Sequence, residues 1–199
     1  MSKKHNLERI SWSSAKRNKP VKAAAEDAVN KYGWTFVGSG HFSIVLERSD
    51  HPDVVKKFGP LDDGWLHFAA YVQGLGSSRS RLFPEVTNVR RFEGQKYYSA
   101  MVERCTTTLS AYRGADCIKF ADQHQCLREA LSAGKNLGSL DRIEPLAGIT
   151  KDDLKVMFEL GRYARDNDIS IDLHGENIMV RDDLTLCITD PFSFTKDRS

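Results

Sequence analysis

The chain has 199 residues, 40% of them hydrophobic, enough to bury a real core in one compact domain or in two small lobes sharing a cleft. With 28% charged residues and a formal net charge of +2, it offers no global electrostatic attraction for nucleic acid. Its four cysteines, Cys105, Cys117, Cys126 and Cys187, form no C-x-x-C pair and no zinc-ligand spacing with histidine, which argues against disulfide and zinc scaffolds and for reduced thiols. No signal-peptide core and no apolar run of membrane-spanning length occurs, so a cytoplasmic protein is expected.

Residues 1–22 carry Lys3, Lys4, Arg9, Lys16, Arg17, Lys19 and Lys22 against the single acid Glu8, with little apolar periodicity. This composition predicts a basic, solvated tail, a docking arm for an acidic partner, or a site of self-phosphorylation at Ser11, Ser13 and Ser14. Ala23 to Lys31 has helical composition. Trp34 to Val37 and Ile44 to Leu46 read as strands around a glycine-bearing turn, and Val54 to Phe58 as a third strand set off by His51-Pro52-Asp53 and Gly59-Pro60. Asp63 is placed to cap a helix through Trp65, Phe68, Ala69 and Val72 that Gly74 ends. Val86 to Phe92 and Tyr97 to Val102 complete a series of short strands.

The segment from Thr106 to Leu154 mixes helix formers such as Cys126 to Ala133 with glycine-punctuated loops and reads as scaffold. Asp152 to Arg165 is a stronger helix, its apolar stripe running through Leu154, Met157, Phe158, Leu160 and Tyr163. Beyond it, Ile178 to Val180 and Leu184 to Ile188 form a predicted hairpin around Arg181-Asp182-Asp183.

Two constellations carry chemistry. Asn177 stands just before the first strand of that hairpin and Asp190 just after the second, so antiparallel pairing brings both to one open end. Asp172 enters the same loop five residues upstream of Asn177, and two carboxylates with one carboxamide suit magnesium, which takes few protein oxygens beside the phosphates of a substrate. The competing reading is a turn merely rich in Asp and Asn. In the second constellation, Gly38-Ser39-Gly40-His41-Phe42-Ser43 lies between two strands. The turn reads either as a plain hairpin or as a phosphate cradle, in which the glycines would let backbone N–H groups approach phosphates, Phe42 would close over them and Val45 would cover an adenine ring. Lys56, flanked by valines on the next strand, then reaches the α- and β-phosphates. Because side chains alternate along a strand, Lys56 and Lys57 point opposite ways, and the one beside Val54 is taken as the phosphate contact.

The order of glycine loop, strand lysine, D-x-x-x-x-N and an aspartate closing the hairpin resembles the protein kinases. The blocks Gly38 to Ser43, Asp172 to Met179 and Ile188 to Phe194 resemble more closely the early serine/threonine protein kinases of T-seven-like bacteriophages, over roughly Trp34 to Phe194. The resemblance implies an α+β, reduced two-lobed kinase-like fold: a small antiparallel-sheet lobe over 23–103 and a truncated, mainly helical lobe over 104–199. It implies ATP and magnesium as cofactors, Asp172, Lys56 and His174 as catalytic residues, and Asn177 and Asp190 as metal ligands. Gly38 to Ser43, Val45 and Lys56 would bind nucleotide. Val102-Glu103-Arg104-Cys105 resembles the hinge that bonds adenine, with Val102 or Met101 as gatekeeper. Expected partners are host proteins of transcription or RNA processing, with no membrane, and nucleic acid only through the basic tail.

Some positions depart from the general kinase pattern. The helix from Asp63 to Gly74 offers no glutamate to pair with Lys56, and only Asp62 and Asp63 stand near its start. Ser170 and Ile171 occupy the places of histidine and arginine, and His174 that of a lysine, where it touches the γ-phosphate or makes a structural hydrogen bond. Nine residues follow Asp190, too few for a long activation segment and peptide-holding helices, and the basic C-terminal region of longer relatives is expected to be missing. Activity without an activating phosphate is therefore expected. Two alternatives stand beside a protein kinase: a small-molecule or sugar kinase of the same fold, and a kinase-scaffold binding protein that inhibits a host enzyme by contact.

Overall fold

The structure is a computed structural model that describes residues 2–11 and 18–193. Ser13, Ser14, Lys16, Arg17 and Phe194 lie outside the described residues. The chain is α+β and divides into two compact units, one of residues 1–63 and 85–104, the other of 64–84 and 105–199. Residues 64–84, assigned from sequence to the first lobe, thus group with the second unit. No helix among the described residues is long and apolar enough to cross a membrane.

The first unit is a five-stranded antiparallel sheet covered on one face by two helices, α1 (Lys3–Ser11) and α2 (Lys19–Tyr32). Its strands are β1 (Thr35–Ser39), β2 (Ile44–Arg48), β3 (His51–Pro60), β4 (Val86–Phe92) and β5 (Tyr97–Glu103), in the order β1-β2-β3-β5-β4. Asn18 caps α2 by accepting from the Val21 N–H, Pro20 sits in the first turn, and Gly33 ends the helix at φ 72°, a left-handed conformation that glycine adopts without steric cost. The face under the helices holds Ile10, Val21, Ala25, Val29, Trp34, Phe36, Ile44, Leu46 and Phe58 as one apolar core. On the opposite face Tyr98 lies directly against Gly59, where any Cβ would collide with its ring, and the Tyr98 hydroxyl donates to Asp63 Oδ2 at 2.9 Å.

Two expectations change here. Residues 3–11 are not a solvated tail. Leu7 and Ile10, three apart on one helix face, pack into the core, and Ile10 is 0% exposed. The basic side chains of α1 serve the docking: Lys3 Nζ donates to Asn30 O near the C-terminal end of α2, and the Arg9 guanidinium stacks 4.8 Å from the Phe36 ring. Asp63 does not cap the next helix, since its carboxylate is turned to Tyr98 and Gly64 holds the cap position.

The second unit contains α3 (Trp65–Leu75), α4 (Cys117–Lys135), α5 (Lys151–Asp166) and the short strands β6 (Thr107–Thr108), β7 (Ser170–Ile171), β8 (Ile178–Val180), β9 (Leu186–Ile188) and β10 (Phe192–Ser193). Helices α4 and α5 touch backbone to backbone at two glycines: a Cβ on Gly134 would strike Phe158 O and one on Gly161 would strike Leu131 O. Thr150 and Asp153 form a capping box at the start of α5, and the same Asp153 carboxylate pairs with Arg81 at 3.1 Å. These helices support two small ladders, β6-β8-β9 and β7-β10.

If α1 is part of the core, Ile10→Ala should destabilise the fold by about 2–5 kcal/mol. Chemical denaturation checks this, and an unchanged midpoint would return residues 3–11 to the status of a tail.

Candidate active site

The loop that carries Asp172, Asn177 and Asp190 is fixed almost entirely by its own backbone. In β8-β9, Ile178 pairs with Ile188, so Asn177 and Thr189 follow in register at the open end, and Asp190, which the sequence placed there with Asn177, stands one residue further on. The Asn177 carbonyl accepts from the Thr189 N–H at 2.9 Å and from Thr189 Oγ1 at 3.1 Å, with the Asp190 N–H at 3.4 Å. In the second ladder Ile171 pairs with Phe192, and the Asp172 N–H donates to Pro191 O at 2.8 Å. Thr189-Asp190-Pro191 is therefore clasped from both sides, by the Asn177 segment and by the Asp172 segment.

Side chains complete the link. Asn177 Nδ2 donates to Asp172 O at 2.6 Å, which identifies the amide nitrogen and leaves the carboxamide oxygen for another ligand. The Asp172 side chain is 46% exposed and so reachable by a second molecule. His174 Nδ1 accepts from the Glu176 N–H at 3.2 Å, placing the neutral ring's proton on Nε2, 3.6 Å from Asp172 Oδ1. His174 is thus hydrogen-bonded within its own loop. With that proton in place, the 3.2 Å approach of Asn177 Nδ2 to Nε2 is a contact between donors rather than a bond.

Among the described residues no group of three or more His, Cys, Asp or Glu side chains forms a ready-made metal cage. One carboxylate from Asp190 and one carboxamide oxygen from Asn177, held in register by the backbone, instead fit a small hard cation that keeps waters and phosphate oxygens as its other ligands.

In the first unit the sheet register separates residues that the sequence argument joined. Val45 pairs with Lys57, and Lys57 with Ala100; Leu46 pairs with Lys56, and Lys56 with Met101. Directly paired residues share a face. Val45, Val55, Lys57, Ala100 and Val102 therefore lie on one face, and Lys56 lies on the other with Leu46, Phe58 and the core beneath α1 and α2. Lys56 is thus not on the Val45 face. Its ammonium sits 5.5 Å from the Trp34 ring and 5.3 Å from the Phe58 ring. Burial, then the nearby Arg90 and Arg48, lowers its pKa, and no carboxylate pairs with it among the described residues. Lys57 is 8% exposed, held between Val45 and Ala100.

The same register separates the two gatekeeper candidates: Val102 is on the Val45 face, and Met101 packs against the helix-covered core. At the hinge-like segment, the Glu103 N–H donates to Glu85 O and the Arg104 N–H to Asp53 O, both at 2.8 Å. Arg104 also pairs with Glu47 at 2.7 Å. The glycine turn is closed by the Gly40 N–H donating to Ser43 O at 3.0 Å, with Ser43 buried, Phe42 exposed and His41 edge-on to the Phe42 ring. Gly38 stands opposite Val45 after a bulge, with open space where a side chain would project.

The model of the family described as bacteriophage T7 protein kinase 0.7 matches residues 12–199, nearly the whole chain. The chain belongs to that family. It is accordingly a kinase of phage origin. Comparison with curated proteins finds no match.

Three contributors to this kinase's second unit escape a motif-based reading. Thr189 anchors the Asn177 carbonyl through both its N–H and its hydroxyl. His124, on α4, reaches Leu173 O at 3.4 Å, and burial lowers its pKa, which favours the neutral ring. Trp65 Nε1 donates to Thr189 O at 3.0 Å. Only Thr189, inside the Ile188 to Phe194 block, lay where the sequence called attention.

If the Asn177 amide ties the loop together, Asn177→Ala should cost about 1–3 kcal/mol, and amide exchange at Asp172 and Thr189 should accelerate. Hydrogen-exchange mass spectrometry of peptides covering 170–192 reads this directly, and unchanged protection would mean that the ladders hold the loop without the side chain.

Proposed function

We propose that this phage kinase is an ATP- and magnesium-dependent serine/threonine protein kinase with a reduced kinase-like fold, acting on host proteins of transcription or RNA processing in the host cytoplasm. The observation that carries this reading is the backbone clasp that holds Asp172, Asn177 and Asp190 in one fixed order around Thr189-Asp190-Pro191. Family membership supports the kinase class, and the phage origin supports host proteins as substrates.

In this reading the half-exposed Asp172 carboxylate receives the acceptor hydroxyl. It orients the O–H and takes its proton as the hydroxyl oxygen bonds to the γ-phosphorus and the bond to the β-phosphate oxygen breaks, releasing ADP. Asn177 Oδ1 and the Asp190 carboxylate would hold magnesium, which when bound neutralises phosphate charge. Taken by itself, the first unit has a face suited to nucleotide: the turn from Gly38 to Ser43, Val45 and Val102, with Lys57 rather than Lys56 as the cation on that face. Burial between Val45 and Ala100 restricts the Lys57 side chain, so its charge is presented with little conformational freedom. The Ile171 position supports activity without an activating phosphate, since it is filled by an apolar residue paired with Phe192 and offers no cation for a phosphate to neutralise.

Two outcomes are expected. Asp172→Asn should lower phosphoryl transfer by about 10²–10⁴-fold with nucleotide affinity little changed. Incubation with labelled ATP, magnesium and host lysate measures the first, and near wild-type labelling of protein would sink the assignment; label in a small molecule instead would identify a small-molecule kinase. In the same assay Lys57→Met should weaken ATP use far more than Lys56→Met, and the reverse ranking would show that the nucleotide lies on the other face of the sheet.

A further inference from the structure

Helix α3 carries no acidic residue between Trp65 and Leu75, so it has no glutamate to pair with a strand lysine. It is instead joined to the strand that follows Asp190. Trp65, 1% exposed at the first position of α3, donates its indole N–H to the carbonyl of Thr189, the oxygen of the peptide bond that leads into Asp190. Gly64 sits so close to β10 that a Cβ there would lie 2.8 Å from Ser193 O. Phe68, one turn along, meets the Phe192 ring edge-on at a centroid distance of 6.3 Å.

We propose that Trp65 is a positioning residue for Asp190, fixing the 189–190 peptide plane and with it the direction of the carboxylate toward the cation. The proposal rests on the reading of Asn177 and Asp190 as metal ligands. The relevant peptide unit has two polar ends. Its N–H, that of Asp190, reaches Asn177 O only at 3.4 Å, too long for a strong restraint, whereas its oxygen accepts from the buried indole at 3.0 Å. The indole bond is thus the tighter of these two. A buried tryptophan ordinarily finds some acceptor for its N–H; here the acceptor is the oxygen of the peptide unit that carries Asp190. Hydrogen bonds to ligand-bearing groups commonly set metal affinity in this way.

The test is binding of Mn²⁺, counted by the loss of its free-ion electron paramagnetic resonance signal, to the full chain with a non-hydrolysable ATP analogue. Trp65→Phe removes the N–H together with part of the ring. Replacement of Trp65 by 3-benzothienylalanine removes the N–H and keeps the shape, so a folding defect in the first variant does not decide the matter. Both should weaken Mn²⁺ binding by roughly tenfold, with analogue affinity in the absence of metal little changed; Asp190→Ala should weaken Mn²⁺ binding further. Wild-type binding by the benzothienyl variant beside a weakened Asp190→Ala protein would overturn the role of Trp65 and leave the metal site standing. Wild-type binding by Asp190→Ala would overturn the metal reading and the positioning role with it.

Discussion

The arrangement of the second unit depends on one residue acting through both of its polar ends. Asn177 accepts at its backbone carbonyl from Thr189 and donates at its amide to the Asp172 carbonyl. Its carbonyl fixes the strand end that leads to Asp190, and its Nδ2 fixes the loop that presents Asp172. A charged site otherwise tends to drive like charges apart, yet here two carboxylate-bearing segments are brought together by neutral backbone bonds. These bonds involve no ionisable group, so the order of the loop does not depend on the ionisation of the side chains.

Order in the rest of the unit leads toward this clasp. The α4-α5 pair, pressed together at Gly134 and Gly161, leads through Asp166 into β7, whose pairing with β10 sets the height of Asp172. His124 reaches the loop from α4 at Leu173 O, and α3 reaches it from another side through Trp65. Ile171 and Phe192 form an apolar pair at the base of the loop, so packing rather than an ion pair joins the two strands there. Apolar packing of this kind involves no desolvation of a buried charge and needs no modification to complete it.

The placement of the candidate site residues in the second unit was legible in the sequence because they are local. Asp172, Asn177 and Asp190 lie within one hairpin and its approach, and alternation plus a short turn suffice to bring them together. The first unit was only half legible. Its strands are where β-branched and aromatic runs predict them, but the face of the lysine depends on a register that no pattern shows. At the β2-β3 turn Arg48 pairs with His51, so a regular hairpin would set Glu47 opposite Pro52; it is opposite Val55 instead. That slip of three residues is odd, and an odd slip exchanges the two faces, bringing Lys57 rather than Lys56 beside Val45. The N-terminal helix was missed for a different reason. Its apolar content is little more than Leu7 and Ile10, and basic residues that read as solvent-seeking are spent on a helix end and an aromatic ring.

The central claim, that the clasped loop is a metal-nucleotide phosphoryl-transfer site, is tested most directly by paramagnetic broadening in a nuclear magnetic resonance spectrum. Substoichiometric Mn²⁺ with a non-hydrolysable ATP analogue should broaden the backbone amides of Asn177, Thr189 and Asp190 first among those of the second unit, with amides near Gly134 and Gly161 unaffected. Broadening that begins elsewhere, or none at all in the presence of nucleotide, would contradict the account.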